Sequence, residues 1–166
     1  MLTLAGMTVP PAPVAPLLVF GWGNQSRGDD ALGPLCIETL RAEAQAGAEF
    51  LDDYQLQIEH ALDLVGRQRV LFVDASLNCG VPFEASRLQA APDRSLGSHA
   101  LSPSALLQVF LELRGEAAPP SMLLAIRGER FELGEPLSDS ASANLVKALA
   151  WCRSWLQPAY GLFPKS

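Results

Sequence analysis

Two near-continuous apolar runs, LLVFGW at 17–22 and VLFV at 70–73 within RVLFVDAS (69–76), constrain the fold more than any other feature of the chain. A strand with one wet face alternates apolar and polar side chains, whereas a strand apolar at nearly every position is covered on both faces. SMLLAIRG at 121–128 reads as a further strand, as do AEFLDDYQLQ at 48–57 and, near an edge, PFEASRLQAA at 82–91. Helical spacing fills the intervals. ALGPLCIETLRAEAQAG at 31–47 carries Leu32, Leu35, Cys36 and Leu40 on one side, with Gly47 as its stop. IEHALDLVGR at 58–67 reads as a short helix. In GSHALSPSALLQVFLELRG, Ser102 is an N-cap and Pro103 the first helical residue, with Leu106, Leu107, Phe110 and Leu111 as the inner stripe. LSDSASANLVKALAWCRSWL at 137–156 closes the chain with Leu145, Leu149, Cys152 and Leu156 on one face. Strands alternating with helices, and covered on both sides, define a three-layer α/β/α class.

The 166 residues suit one domain with one substantial core. Residues 1–16 are a Pro-rich N-terminal tail, 17–156 the domain, and 157–166 a C-terminal tail. Hydrophobic residues make up 49% and charged residues 18%, a balance that excludes disorder. The net charge of −6, with no Lys/Arg run to offset it, argues against a nucleic-acid partner. Cys36, Cys79 and Cys152 are odd in number and show no CxxC spacing, so neither a disulfide framework nor a zinc ribbon is expected. They read as core residues of a protein in a reducing cytoplasm, with Cys79 the most accessible. The N-terminus lacks the basic and apolar regions of a signal peptide, and no apolar stretch is long enough to span a bilayer, so no membrane partner is expected.

In α/β sheets ligands bind outside the C-terminal ends of the strands. The first strand ends in GWGNQSRGDDALGP, which sets Asp29 and Asp30 side by side. RVLFV ends in Asp74, and a carboxylate closing an apolar strand needs a partner. His99 precedes the helix at Pro103. Two carboxylates and one imidazole form a three-ligand set with open positions, suited to a borderline divalent metal. Gly21 and Gly23 also open a dinucleotide fingerprint, but the third glycine position holds Ser26. A phosphate about 4–6 Å from two carboxylates would be repelled by several kcal/mol at intermediate dielectric.

VFGWGNQSRGDDALG resembles the G-x-G-N-x-x-x-x-D-[DE]-x-x-G motif of the nickel–iron hydrogenase maturation proteases. LFVDAS resembles that family's second motif, and SHALSP followed by ALLQVF its third, in the same order and spacing, from about Leu17 to Leu156. The resemblance implies a twisted, mainly parallel sheet of about five strands between helices. It implies an endopeptidase that removes the C-terminal extension of a hydrogenase large-subunit precursor after nickel insertion, with the nickel supplied by the substrate. Position by position, the metal-contacting acid falls on Asp30, the second acid on Asp74 and the histidine on His99. Asp30 and Asp74 are then the candidate general bases, with Asp29 a weaker one, and like charges held close without metal raise one another's pKa. Ser26 and Ala31 depart from the commonest family turn. With YQLQIEHALDL, they resemble a subgroup serving cytoplasmic, NAD-linked hydrogenases.

Some residues keep two readings. Asp29 either caps the helix beginning near Ala31 or positions Asp30. His60 competes with His99 as a ligand. Asn24 holds the turn through side-chain-to-backbone bonds or contacts substrate. Trp22 lines the cleft or packs, and Trp151 and Trp155 pack. A monomer is expected. Two other functions stay open: a non-catalytic dinucleotide-binding module, and a nickel-binding hydrogenase assembly factor that does not cut.

Overall fold

Five strands, β3 (Leu17–Trp22), β4 (Ala48–Asp53), β5 (Arg69–Ser76), β6 (Phe83–Arg87) and β7 (Ser121–Arg127), form one sheet. Across it they stand in the order β4-β3-β5-β7-β6. A separate two-stranded antiparallel ladder pairs β1 (Thr3–Leu4) with β2 (Met7–Thr8). This computed structural model describes residues 3–4, 7–8, 13–93, 101–158 and 160. Strands β4, β3, β5 and β7 run parallel, and β6 closes one edge antiparallel to β7.

The period-two geometry of a strand divides the core into two halves. Val19, Leu71, Val73, Leu124 and Ile126 face α1 (Leu32–Ala42) and α3 (Asp139–Trp155). Leu18, Phe20, Val70 and Phe72 face a 3-10 helix at Ile58–Leu64 and α2 (Pro103–Arg114). All nine of these strand side chains are essentially inaccessible to solvent, which is why their sequences show no polar alternation. The result is the expected three-layer, mainly parallel α/β/α sandwich.

Three helical expectations need correction. Helix α1 stops at Ala42 instead of reaching Gly47. Leu40 is its last buried side chain, so nothing anchors a further turn, and the chain swings through Ala44 (φ 50) and Gly47 (φ 79) to enter β4. Within the 58–67 segment only Ile58–Leu64 is helical, and as a 3-10 helix, with Ala61 and Leu64 buried at the three-residue spacing that geometry favours. On α2 the inner stripe ends at Phe110, because Leu111 is 38% exposed. The N-cap at Ser102 is as expected, its Oγ accepting from the Ala105 amide at 3.1 Å.

Strand β4 ends at Asp53, short of the expected 57. Its ladder to β3 finishes with Trp22 opposite Asp53, where β3 turns away at Gly23. Cys79 is the most exposed of the three cysteines, as expected, yet at 7% it too is buried, its thiol donating to the Ala125 carbonyl at 3.4 Å. All three cysteines are buried free thiols. Trp155 packs fully and Trp151 partly within the α1–α3 half of the core. Among the described residues, no helix is long and apolar enough to cross a membrane.

Candidate active site

Strand β3 has β4 on one side and β5 on the other, so the chain leaves its C-terminal end in one direction and returns on the opposite flank. A crevice opens at such a switch point. Here it is a cleft of about 400 Å³ lined by Trp22, Asn24, Arg27, Asp30, Asp74 and Phe131 among others. Asp30 arrives from the turn after β3 and Asp74 from near the end of β5. Leu101, just ahead of α2, also lines the cleft. His99, the expected third ligand, lies outside the described residues. Among the described residues, no three His, Cys, Asp or Glu side chains gather as a metal-holding group.

The turn is tightly wound. Asn24 Oδ1 accepts from the Ser26 amide at 2.8 Å, the side-chain-to-backbone bond expected of an Asx turn. Asp30 Oδ2 accepts from the Asn24 amide at 2.8 Å. The Gly23, Arg27, Gly28, Asp29 and Asp30 amides donate to the carbonyls of Asp53, Asn24, Glu135, Arg130 and Arg27. Seven amides of the turn, those of Gly23, Asn24, Ser26, Arg27, Gly28, Asp29 and Asp30, are thus engaged within the protein, which argues against the dinucleotide reading. At Gly23, with φ 148, a Cβ would overlap the Asp30 backbone carbonyl oxygen. Gly23→Ala is expected to displace Asp30 and to cost about 2 kcal/mol or more, read as a lowered urea midpoint; an unchanged midpoint would contradict this close approach.

The neighbouring aspartates have divergent environments. Asp29 is fully buried and does not cap α1, whose N-cap, Ala31, has no side-chain bond. It binds across the fold. Its Oδ1 accepts from the Ser138 amide at 2.7 Å, and its Oδ2 accepts from the Glu129 amide (2.7 Å), the Arg130 amide (3.2 Å) and the Ser138 hydroxyl (2.7 Å). Burial alone pushes the Asp29 carboxyl up, but those hydrogen bonds outweigh it and hold it below the usual carboxylate range. Ser138 in turn caps α3, its Oγ accepting from the Ala141 amide at 3.2 Å. Asp29 thus ties the turn carrying Asp30 to the 128–138 loop carrying Phe131.

Asp74 lies at the opposite extreme. Burial, as the largest cause, pushes its carboxyl up to about 7; the Ala75 amide draws it down, and the Asp30 charge raises it further. At Asp74 the like charge of Asp30 therefore acts in the expected direction, but burial is the larger cause.

His60 points elsewhere. Its Nδ1 accepts from the Gln57 amide at 2.8 Å, so its Nε2 carries the proton and donates to Asp53 Oδ2 at 3.1 Å. The ring packs edge-on against Phe20 with centroids 4.6 Å apart. Both ring nitrogens are occupied in holding the Asp53 corner. Trp22 both lines the cleft and packs edge-on against Phe72.

Sequence reasoning missed Arg27, Tyr54 and Phe131 as lining residues. Arg27 sits inside the quoted turn, and Tyr54 is an aromatic just past a strand end, 73% exposed; these were usable signals. Phe131 carries none, because the contact that brings it to the cleft spans the chain.

By sequence, the chain matches no family model and no curated protein. By structure, it has the fold of the hydrogenase maturation endopeptidases. The [NiFe] hydrogenase maturation protease HycI from Thermococcus kodakarensis superposes with a TM-score of 0.66 at 22% identity, over 86% of this chain and 92% of that one. The hydrogenase maturating endopeptidase HybD from Escherichia coli gives 0.67 at 23%, over 87% and 93%. A hydrogenase 2 maturation peptidase from a Thaumarchaeota archaeon gives 0.62 at 22%, over 84% and 97%. At these identities the likeness is one of fold.

Proposed function

We propose that this chain is an endopeptidase that removes the C-terminal extension of a nickel–iron hydrogenase large-subunit precursor after nickel insertion. The observation that carries the reading is the convergence of Asp30 and Asp74, from separate motifs, on one cleft at the switch point of this fold. His99 completes the proposed ligand set, and Leu101, two residues on, already lines the cleft.

The nickel belongs to the substrate. Oxygen donors and one imidazole hold a borderline metal less avidly than a thiolate-rich site does. The enzyme therefore detects nickel in the precursor without extracting it, and the shared ion positions the scissile bond over the two carboxylates. Such positioning supplies a large share of the barrier reduction. One of the two carboxylates takes the proton from the attacking water. Three buried free thiols accord with a cytoplasmic setting. The engaged amides of the 23–30 turn disfavour a dinucleotide-binding module, and the cutting assay separates an enzyme from a nickel-binding assembly factor.

His99→Ala is expected to leave the fold intact, by circular dichroism and urea midpoint, and to abolish shortening of a nickel-loaded precursor on a gel. Normal cleavage by this variant would reject His99 as part of the site.

A further inference from the structure

We propose that Arg27 grips the carbonyl oxygen of the scissile peptide and stabilises the negative charge that develops there, an inference that rests on the endopeptidase reading above. Arg27 lines the same cleft as Asp30 and Asp74, and among the described residues it is the one cation that does. A cleft floored by two carboxylates is a poor place to form an oxyanion. Beside the substrate's nickel, which positions the peptide, the developing oxyanion calls for a donor of its own, and the amides of Gly23, Asn24, Ser26, Arg27, Gly28, Asp29 and Asp30 are engaged in internal bonds.

The side chain is mounted for the task. Its backbone is pinned on both sides, the amide donating to the Asn24 carbonyl and the carbonyl accepting from the Asp30 amide, each at 3.1 Å. Its Nε donates to the Phe131 carbonyl at 3.2 Å. That bond fixes the plane of the guanidinium and leaves its two terminal nitrogens without a hydrogen-bond partner among the described residues. Nor does Arg27 pair with any described carboxylate, although Arg41, Arg67, Arg114 and Arg153 each pair with one. A loop-holding role accounts for Nε alone. The forked N–H groups beyond it match an oxygen carrying charge.

In the reaction, water transfers a proton to a carboxylate of the Asp30–Asp74 pair as its oxygen bonds to the carbonyl carbon. The carbonyl π pair moves onto its oxygen, where the Arg27 N–H groups hold it. Collapse re-forms the C=O bond and breaks the C–N bond, and the departing amine nitrogen takes the proton from the carboxylate. One water is consumed, and one carboxyl and one amino terminus are formed.

The test compares wild type, Arg27→Ala, Arg27→Lys and Asp74→Ala on a nickel-loaded large-subunit precursor. Arg27→Ala is expected to lose about 100-fold or more in kcat with KM changed less than about threefold. Arg27→Lys should recover part of the loss, and added methylguanidinium should raise the rate of Arg27→Ala but not of Asp74→Ala. A wild-type kcat in Arg27→Ala, or a loss confined to KM, overturns the inference. If Arg27→Ala unfolds in urea well before wild type, Arg27→Lys decides: a kcat equal to wild type overturns the proposal, and a selective fall in kcat supports it. Should Asp74→Ala be inert while both Arg27 variants cut normally, the inference fails and the endopeptidase reading stands. Should wild type leave the precursor whole, both fail.

Discussion

Asp74→Asn is expected to abolish precursor cleavage while making the metal-free protein more stable at pH 8. The two effects share a cause. In the folded protein the Asp74 carboxyl ionises only near pH 7, chiefly because it is buried, whereas in the unfolded chain it ionises near the ordinary value of about 4. Between those two values the folded state binds a proton that the unfolded state does not. Stability therefore falls as pH rises from about 4 to about 7 and levels off above. The full interval corresponds to about 4 kcal/mol, and partial solvent access reduces this to roughly 2–4 kcal/mol. An Asn side chain keeps the shape and an acceptor for the Ala75 amide but never ionises. Urea denaturation in chelator should find the variant and wild type most alike near pH 3.5 and the variant more stable by that margin at pH 8. Equal stability at both pH values would mean that Asp74 is not strained. The catalytic loss follows because the amide cannot take up a proton from water and is a weaker metal ligand than a carboxylate. A site that stores strain in a carboxylate is exchanging stability for chemistry.

The second large effect is structural. Asp29→Ala is expected to cost about 3–5 kcal/mol, because it leaves the buried Ser138 amide and hydroxyl, and the part-buried Glu129 and Arg130 amides, without their acceptor. Asp29→Asn should cost less, about 1–3 kcal/mol. Both carboxylate oxygens are acceptors, so an amide nitrogen must face at least one donor; with that nitrogen at the Oδ1 position the conflict is limited to the Ser138 amide. The pH sign is opposite to that of Asp74. The Asp29 carboxyl is held below its ordinary value, so its contribution is complete above about pH 4 and is lost as pH falls through the folded-state value. Wild type should therefore lose stability on acidification below about pH 4 more steeply than Asp29→Ala. Parallel profiles for the two proteins would contradict the role given to the carboxylate.

These two aspartates show how far the sequence could be read. Strands β3 and β5 were legible to the residue, because burial on both faces leaves their centres continuously apolar, and in β5 polar residues stand only at and near the ends. The Ser102 and Ser138 caps act within four residues, and the first was visible for that reason. The divergence of Asp29 from Asp30 was not visible. Its cause, Ser138, stands 109 positions along the chain, and no local pattern announces the contact. The end of α1 is hidden in the sequence for a related reason. Ala-rich sequence after Leu40 favours helix locally, but β4 must start at Ala48 to pair with Leu17, and the ladder prevails. The candidate site divides in the same way: Asp30 and Asp74 follow from strand ends, whereas the Phe131 wall depends on a loop delivered from the far end of the chain.

Whether this cleft cuts a nickel-bearing precursor is read from the mass of a purified hydrogenase large-subunit precursor, nickel-loaded or nickel-free, before and after incubation with this protein. The nickel-loaded form alone is expected to lose a discrete C-terminal peptide. An intact mass in both samples, or equally fast shortening of the nickel-free form, would contradict this expectation.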